Sequence, residues 1–545
     1  MHKLVPAAVL ALAAGSLLAA VRPGSQAPAS KNPRPLVSDR AQAPVAPRLF
    51  VSPSGSDSSP CSQSSPCATL GHAYGKAEPG DVVALLGGSY DGQTLTAHSG
   101  AMGPAAVTFM PAPGASAQVA GLTVDGASFV TLKGITFTAA INVLNENPGS
   151  QGSSNVVFAS DSAPTIRLAG QISNISILGG SYGNAVNSQP QIKKYNRDDP
   201  DSSAPSNVLI DGASFHDYRR NGSSVHTECL QILDGNTITV RRSRFWNCDG
   251  TGDIGITPDS TIVNLTLENN FIAGGGDTGY GVQIGSMQRN FVFRYNSSSQ
   301  SVFFSDSKSG YGPYTFTGNY MPYNFSLCRG GATYSHNVLR GGTCGSSDTR
   351  VSSLDFVDAA AHDLHLLRGS AAIGRGDPDS RPAVDIDGDA RPQRAAPDAG
   401  ADEWDSAAIV LGRSIGKVSL GESDASVSAF YGRPASSRSV KLGGRPLRRT
   451  SYGLHGGQLW TLSDKGSIVA VGTTSGYYTT GAGVGAGGEL GPVLGWRGMS
   501  WMACRSSYRG RGAVVTVVTP RGGKKNGSTI GTLALWRRAY LSCPK

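Results

Sequence analysis

Residues 130–137 read VTLKGITF: a short alternating strand, a Gly turn and a second apolar pair. The phrase apolar-x-apolar-x-[Gly/Asn/Arg]-x-x-apolar returns at Ile175 (ISILGGSY), Val208 (VLIDGASF), Ile238 (ITVRRSRF), Leu265 (LTLENNFI), Phe291 (FVFRYNSS), Tyr314 (YTFTGNYM) and Ala332 (ATYSHNVL). The copy at Phe291 is the weakest, because Ser298 fills its last apolar slot. Successive starts lie 45, 33, 30, 27, 26, 23 and 18 residues apart, and the 45-residue gap leaves room for one further copy around residues 155–158. A short strand repeated at this interval marks a solenoid, in which no single coil can bury its own core face. The expected fold is an all-β solenoid, a right-handed parallel β-helix, followed by a small α+β domain.

A chain of 545 residues is long for one ordinary domain, but a solenoid grows along one axis. Gly is abundant (72) and charged residues are 16%, which suits a turn-rich β protein and argues against coiled coil or disorder. His2 and Lys3 followed by apolar Leu4–Ala20 read as a secretory signal, with Ser25-Gln26-Ala27 a cleavage candidate. Residues 28–48 are rich in Pro and Ala and read as a linker. The parts expected are a signal peptide (1–27), linker (28–48), β-helix (49–350), closing segment (351–404) and basic α+β domain (405–545). A secreted or cell-surface monomer is expected, with no transmembrane segment once the signal is removed.

Eight cysteines fall as near neighbours: Cys61/Cys67, Cys229/Cys248, Cys328/Cys344 and Cys504/Cys543. An even count in an exported chain suggests disulfides, though spacing alone leaves the pairing open. Cys229 and Cys248 lie about one coil apart, as a coil-to-coil staple would. The net charge of +9 is uneven: residues 405–545 hold 19 Lys/Arg against 5 Asp/Glu, whereas residues 1–404 hold 28 against 33. The C-terminal unit therefore suits an anionic wall polymer or acidic polysaccharide, or is simply a solubilising surface. Nucleic acid is not expected, since export removes the usual target and no recognised binding motif is visible.

Residues 49–128 give a strand, a Ser/Pro/Cys loop, a short helix near Leu70–Ala77, a turn at Pro79-Gly80-Asp81 and a strand at Val82–Leu86. FVSPSGSD, the Pro66–Leu70 step, EPGDVV, GGSY and PAAVTFMPAPG together resemble the N-terminal opening of secreted parallel β-helix proteins of the pectate-lyase-like superfamily. The resemblance runs over residues 49–345 and implies fold more than activity, because this fold hosts lyases, hydrolases, epimerases, phage spikes and noncatalytic adhesins. HDLHLLRGSAAIGRGDP and DIDGDARPQRAAPDAGADEW resemble the C-terminal segment of exported bacterial β-helix proteins. There Asp385, Asp387 and Asp389 form either a cation loop or a tight turn capped by carboxylates. Beyond residue 405 a helix capped at Ser423 and strands at Gln458–Leu462, Ser467–Thr473, Val514–Val518 and Thr532–Trp536 are expected. This part resembles small α+β domains attached to exported actinobacterial proteins and reads as a binding or anchoring module.

Short strands precede the repeat phrase at residues 230–232, 254–256, 282–284 and 302–304. With their flanking apolar residues inward, Gln231, Gly255, Gln283 and Phe303 stack outward in one row, beside a row of Cys229, Asp253, Gly281 and Ser301. Amides and an aromatic over a glycine floor suit a sugar chain, or form an amide ladder that only satisfies the surface. The densest polar cluster, FHDYRRNGSSVHTECLQILDG, carries His216, Asp217, Arg219, Arg220, His226 and Glu228 and reads as an inserted loop. A second insertion, QPQIKKYNRDDPDSSAPSN, carries Lys193 and Lys194, with Asp198, Asp199 and Asp201 as weak candidates for Ca²⁺.

Two chemistries fit these residues. A lyase acting on an acidic glycan needs a base for the C5 proton and a cation for the uronate carboxylate. Lys193 or His226 would be the base, Arg220 the neutraliser, and Glu228, Asp253 or the three aspartates ligands for Ca²⁺. A glycoside hydrolase needs two carboxylates across the bond, for which Glu228 and Asp253 are the pair. The chain departs from family patterns: it lacks an Arg-Pro-x-x-Arg run of the pectate-lyase type and the paired-Asp phrases of polygalacturonases. Asn221-Gly222 with Glu228 is a faint echo of lyases that carry an Asn-Gly-x-x-x-x-Glu region. The competing reading is a noncatalytic adhesin or wall-associated carbohydrate-binding scaffold.

Overall fold

In a computed structural model of the chain, the quoted repeats lie one upon another. Parallel pairing aligns Val130, Val156, Ile175, Val208, Ile238, Leu265, Phe291, Tyr314 and Ala332 in a single line. The copy expected near residues 155–158 is the strand Ser154–Ala159. The structure describes residues 46–545 except 99, 101–102, 146–151, 197–202, 223–224, 260–261, 276–278, 286–287, 306–310, 325, 368, 394, 405–408, 411–412, 417, 432–433, 443, 455–456, 476–477, 479–485, 487–499, 503–505, 510–513, 521–529 and 538–545. The signal, most of the linker, the aspartates 198, 199 and 201, and Cys504 and Cys543 lie outside the described residues. No helix among the described residues is long and apolar enough to cross a membrane.

Each coil visits three sheets in turn, as in Ser206–Asp211, then Ser214–Arg219, then Leu230–Ile232. The first and second sheets have twelve strands each and the third has nine. This is a right-handed parallel β-helix. Alternate residues point inward, so Val208, Ile210, Phe215, Leu230 and Ile232 of one coil are all buried. Like residues stack along the axis: the rings of Tyr182, Phe215 and Phe245 follow one another at 5.2 and 5.4 Å. Ser298 also faces the core, where its hydroxyl donates to the Ile272 carbonyl at 3.1 Å, so the weak copy keeps its register without burying an unmade bond.

The corner between the first and second sheets carries a buried amide ladder. The Asn270, Asn296 and Asn319 side-chain amides donate to the next Asn oxygen at 3.0, 3.2 and 2.9 Å, and Asn337 donates to Asp348 at 3.0 Å. Each amide also donates to a backbone carbonyl of the coil before, such as Asn296 to Leu267 at 2.9 Å.

The two ends are capped. The helix Leu70–Gly75 begins where the Thr69 hydroxyl accepts from the His72 N–H, and Leu70, Ala73 and Tyr74 close one end of the core. At the other end, Asp385 takes the N–H groups of Asp387 and Asp389 on one oxygen and of Glu403 on the other. Asp387 pairs with Arg244 at 3.0 Å and His365 at 2.7 Å. The DIDGD stretch is thus a braced turn that ties the closing segment to the coils. Disulfides Cys61–Cys67, Cys229–Cys248 and Cys328–Cys344 are formed, the second joining successive coils.

Beyond it lies an eight-stranded antiparallel sheet with the helix Asp424–Tyr431. The Ser423 hydroxyl accepts from the Ser426 N–H at 3.0 Å, as its capping role requires. The four expected strands are present, three of them longer than expected. The hairpin Ser436–Leu442/Arg445–Leu454 was not foreseen, because its run of cations hides the strand alternation.

Candidate functional site

The third sheet presents the row expected from sequence. Pairing sets Gln231 beside Gly255, Gly255 beside Gln283 and Gln283 beside Phe303. The row also extends the other way, through Gln191 to Arg167 and Asn142. Phe303 stacks on Tyr280 with centroids 4.6 Å apart, and Gln283 is half-buried. Gln231 is only 7% exposed. Its carbonyl accepts from the side-chain amides of Gln189 at 3.2 Å and Gln191 at 2.7 Å, an amide ladder that covers it.

Two residues along, Ala169 and Lys193 are paired. Arg167 and Lys193 therefore point out of the same face in adjacent coils, with Cα atoms about 8 Å apart by strand geometry. Both are half-buried. Burial lowers the Lys193 pKa, the Arg167 charge lowers it further, and Asp259 works against both. The Arg167 Nε is buried without a hydrogen-bond partner. No carboxylate among the described residues forms an ion pair with either cation. Two cations on one half-buried face, neither in an ion pair among the described residues, could hold an anion. Arg167 escaped the sequence reading because the row was started at residue 230. Carried two coils back, the same apolar-x-apolar pattern occurs as Ile166-Arg167-Leu168.

The polar cluster divides in two. His216, Asp217 and Arg219 belong to a strand of the second sheet rather than to a loop. The His216 ring lies parallel to Trp246 at 4.6 Å, its Nδ1 is 2.7 Å from Asp217, and its Nε2 is 2.9 Å from the Ser181 hydroxyl. Asp249 braces the loop that follows: it accepts from the Arg219 guanidinium at 2.9 Å and the Arg220 N–H at 3.0 Å. The Arg220 guanidinium donates to the Asp249 carbonyl. Arg220 is thus tied to the connection of the next coil.

His226 is exposed, but its partner Glu228 is fully buried. Glu228 Oε1 lies 3.2 Å from His226 Nδ1 and accepts from the Thr251 hydroxyl at 3.0 Å and N–H at 3.3 Å. A Cβ on Gly250 or Gly255 would come within 2.7 or 3.0 Å of Glu228 Cγ. Gly255 is therefore the seat of a buried carboxyl, not the floor of a sugar groove. Glu228 Oε2 is buried without a partner. Asp253 is also buried and accepts from the Gly274 N–H at 2.6 Å, and burial pushes its pKa up to about 7. Neither carboxyl opens to solvent, so the expected hydrolase pair does not flank an open groove.

Three groups of side chains come close enough to share a metal ion among the described residues. Cys61/Cys67/His72 and Cys229/Cys248/Asp253 contain disulfide sulfurs, which are not thiolate ligands. His365/Asp387/Asp402 belongs to the closing segment. The described residues of the third sheet thus do not gather a Ca²⁺ ligand set.

The chain is similar in structure to pectate lyase Pel9A, with 14% identity and a TM-score of 0.44 over 65% of this chain and 96% of that one. It is also similar to a GH136 lacto-N-biosidase from Eubacterium ramulus, at 10% identity and a TM-score of 0.31 over 56% and 65% of the two chains. A rhamnogalacturonan lyase gives 13% identity and a TM-score of 0.24 over 56% and 90%. No family model matches, and no curated protein matches in sequence. No residue role follows from likenesses at this level.

Proposed function

We propose that this is an exported lyase of an acidic polysaccharide, with Lys193 as base and Arg167 as the group that binds the uronate carboxylate. The observation that carries the reading is the pair itself: a lysine with lowered pKa on one face with an arginine whose buried Nε has no hydrogen-bond partner and which forms no ion pair among the described residues. The neutral Lys193 amine takes the C5 proton. The C5–H electrons form the C4=C5 double bond as the C4–O bond breaks, and the departing oxygen takes a proton from solvent. Arg167 holds the carboxylate whose charge grows as C5 is deprotonated. Arg167 takes the role that sequence gave to Arg220, and Lys193 rather than His226 serves as the base. Three disulfides among the described residues support export. No step is routed through Ca²⁺, whose candidate ligands Asp198, Asp199 and Asp201 lie outside the described residues.

The amide ladder of Gln189, Gln191 and Gln231 favours a second reading, a noncatalytic carbohydrate-binding scaffold. Absorbance of the unsaturated uronate separates the two. The full chain is incubated with pectate, alginate and glycosaminoglycans, with and without added Ca²⁺. A rise with one polymer supports the lyase. A flat trace on every polymer rejects it and leaves the scaffold.

A further inference from the structure

The C-terminal hairpin gathers cations at a sheet edge. Ser436–Leu442 is the outermost strand of the eight and pairs only with Arg445–Leu454. Arg438, Lys441 and Arg448 on this hairpin, and Lys465 on the next turn, are exposed. None of them forms an ion pair among the described residues. Edge strands often carry a lysine against unwanted pairing, but that role needs only one charge. Here Arg438 stands directly opposite Arg449. Like charges in that position destabilise a sheet. Arg449 is held at 4.8 Å over the Trp460 ring, and burial followed by the Arg438 charge lowers its pKa.

A depression of about 540 Å³ opens on this hairpin, lined by Arg438, Arg448, Lys465, Ser437 and Ser439. Ser437 accepts from Arg448 Nε at 2.8 Å, which fixes the guanidinium. One carboxylate, Asp424, also lines the depression and accepts from the Ser463 hydroxyl. The Arg448 guanidinium, the Lys465 ammonium and the serine hydroxyls at the wall match the carboxylate and hydroxyls of a sugar unit, while Arg438, directly opposite Arg449, belongs to the other face of the hairpin.

We propose that this hairpin is a second, noncatalytic site that holds a uronic-acid polysaccharide. The site for a polyanion stands on the hairpin alone. Its assignment to a uronan rests on the reading of Lys193 and Arg167. The bound chain lies on the face of the hairpin that carries Arg448, its carboxylates on Arg448, Lys441 and Lys465, and salt weakens it. Through it the basic domain keeps the polymer near the coils and raises its effective concentration there.

The test uses the full chain carrying Lys193→Ala, so that no cleavage confuses binding. Its affinity is measured by titration with polygalacturonate, with the fully methyl-esterified polymer and with double-stranded DNA of equal charge. The expected results are binding of the acidic polymer, none of the neutral ester, weaker binding of DNA, and an affinity loss of about tenfold or more in Lys441→Glu/Arg448→Glu/Lys465→Glu. If that variant melts early, Arg448→Gln alone replaces it and should weaken binding several-fold. Unchanged affinity in the folded variant, or DNA bound as tightly as the acidic polymer, overturns the proposal. A wild-type chain that cleaves no acidic polymer, while the hairpin substitutions still weaken binding, would reject the lyase and keep this site.

Discussion

Between the first and second sheets the chain turns alike coil after coil, and Asn270, Asn296, Asn319 and Asn337 fall in line. Between the second and third sheets the connection changes length, from residues 187–190 in one coil to residues 220–229 in the next. The first corner has equal spacing, so its amides can satisfy one another inside the core. The second cannot stack, and so it carries the charged residues: Arg220, His226 and Asp249 on loops, with Glu228 and Asp253 sealed beneath. The regular corner sets the coil rise. That rise puts Arg167 and Lys193 on one face, one coil apart, although 26 residues of sequence separate them. The difference teaches that stability is kept in the regular corner and the proposed chemistry on the third sheet, and substitutions should separate them.

The largest effect is expected on the third sheet. Lys193→Ala should lower the rate on the acidic polymer by about 10²–10⁴-fold, the range for loss of a general base, without shifting the melting temperature. Because the lowered pKa favours the neutral amine, the wild-type rate should rise with pH along a limb below the ordinary lysine value of 10.5. Arg167→Gln should cost about 10²-fold, with a raised KM as well as a lowered kcat. Loss of fold in either variant would erase the distinction between the regular corner and the third sheet.

At the regular corner the expectation is reversed. Asn296→Ala strands the Asn270 amide and the Leu267 carbonyl in the core, and should cost about 3 kcal/mol in denaturant unfolding. Its rate per folded molecule should stay near wild type. A smaller loss, about 2 kcal/mol, is expected when Cys229→Ser and Cys248→Ser remove the staple beneath the long loop. If the staple matters more than the ladder, the irregular corner is part of the frame.

A last effect is with pH. Asp161, Asp253 and Asp398 are each pushed up to about 7, burial being the main cause. A folded value above the ordinary 3.8 favours the protonated form in the fold. The stabilisation is therefore complete below about pH 4 and is lost as pH climbs through about 7. Melting should come a few degrees lower at pH 8.5 than at pH 5. An unchanged or higher melting temperature at pH 8.5 would show that these carboxyls are not buried as described.

The repeat phrase made the first sheet legible, because alternation and a glycine or asparagine turn recur at fixed positions and pairing follows them residue for residue. The row Gln231–Gly255–Gln283–Phe303 was legible for the same reason. What escaped was whether a side chain in that row is covered. Gln231 is hidden by Gln189 and Gln191, and Glu228 by the loop that the disulfide holds, and both depend on chain segments that periodicity does not describe. Arg167 was readable in principle, since its strand has the pattern of the others. Neither the asparagine ladder nor the cationic hairpin was noticed, because a single asparagine or arginine reads as surface until the coil or the strand pair sets it beside its neighbours.

The central claim is that Lys193 and Arg167 form a reactive anion site, and it is tested most directly by comparing wild type with Lys193→Ala on one acidic polymer. Initial rates of unsaturated-uronate absorbance and binding affinity are measured on the same preparations. The account predicts a steady rise for wild type, none for the variant, and similar affinities for both. Equal rates for the two proteins, or no rise with either, would contradict it.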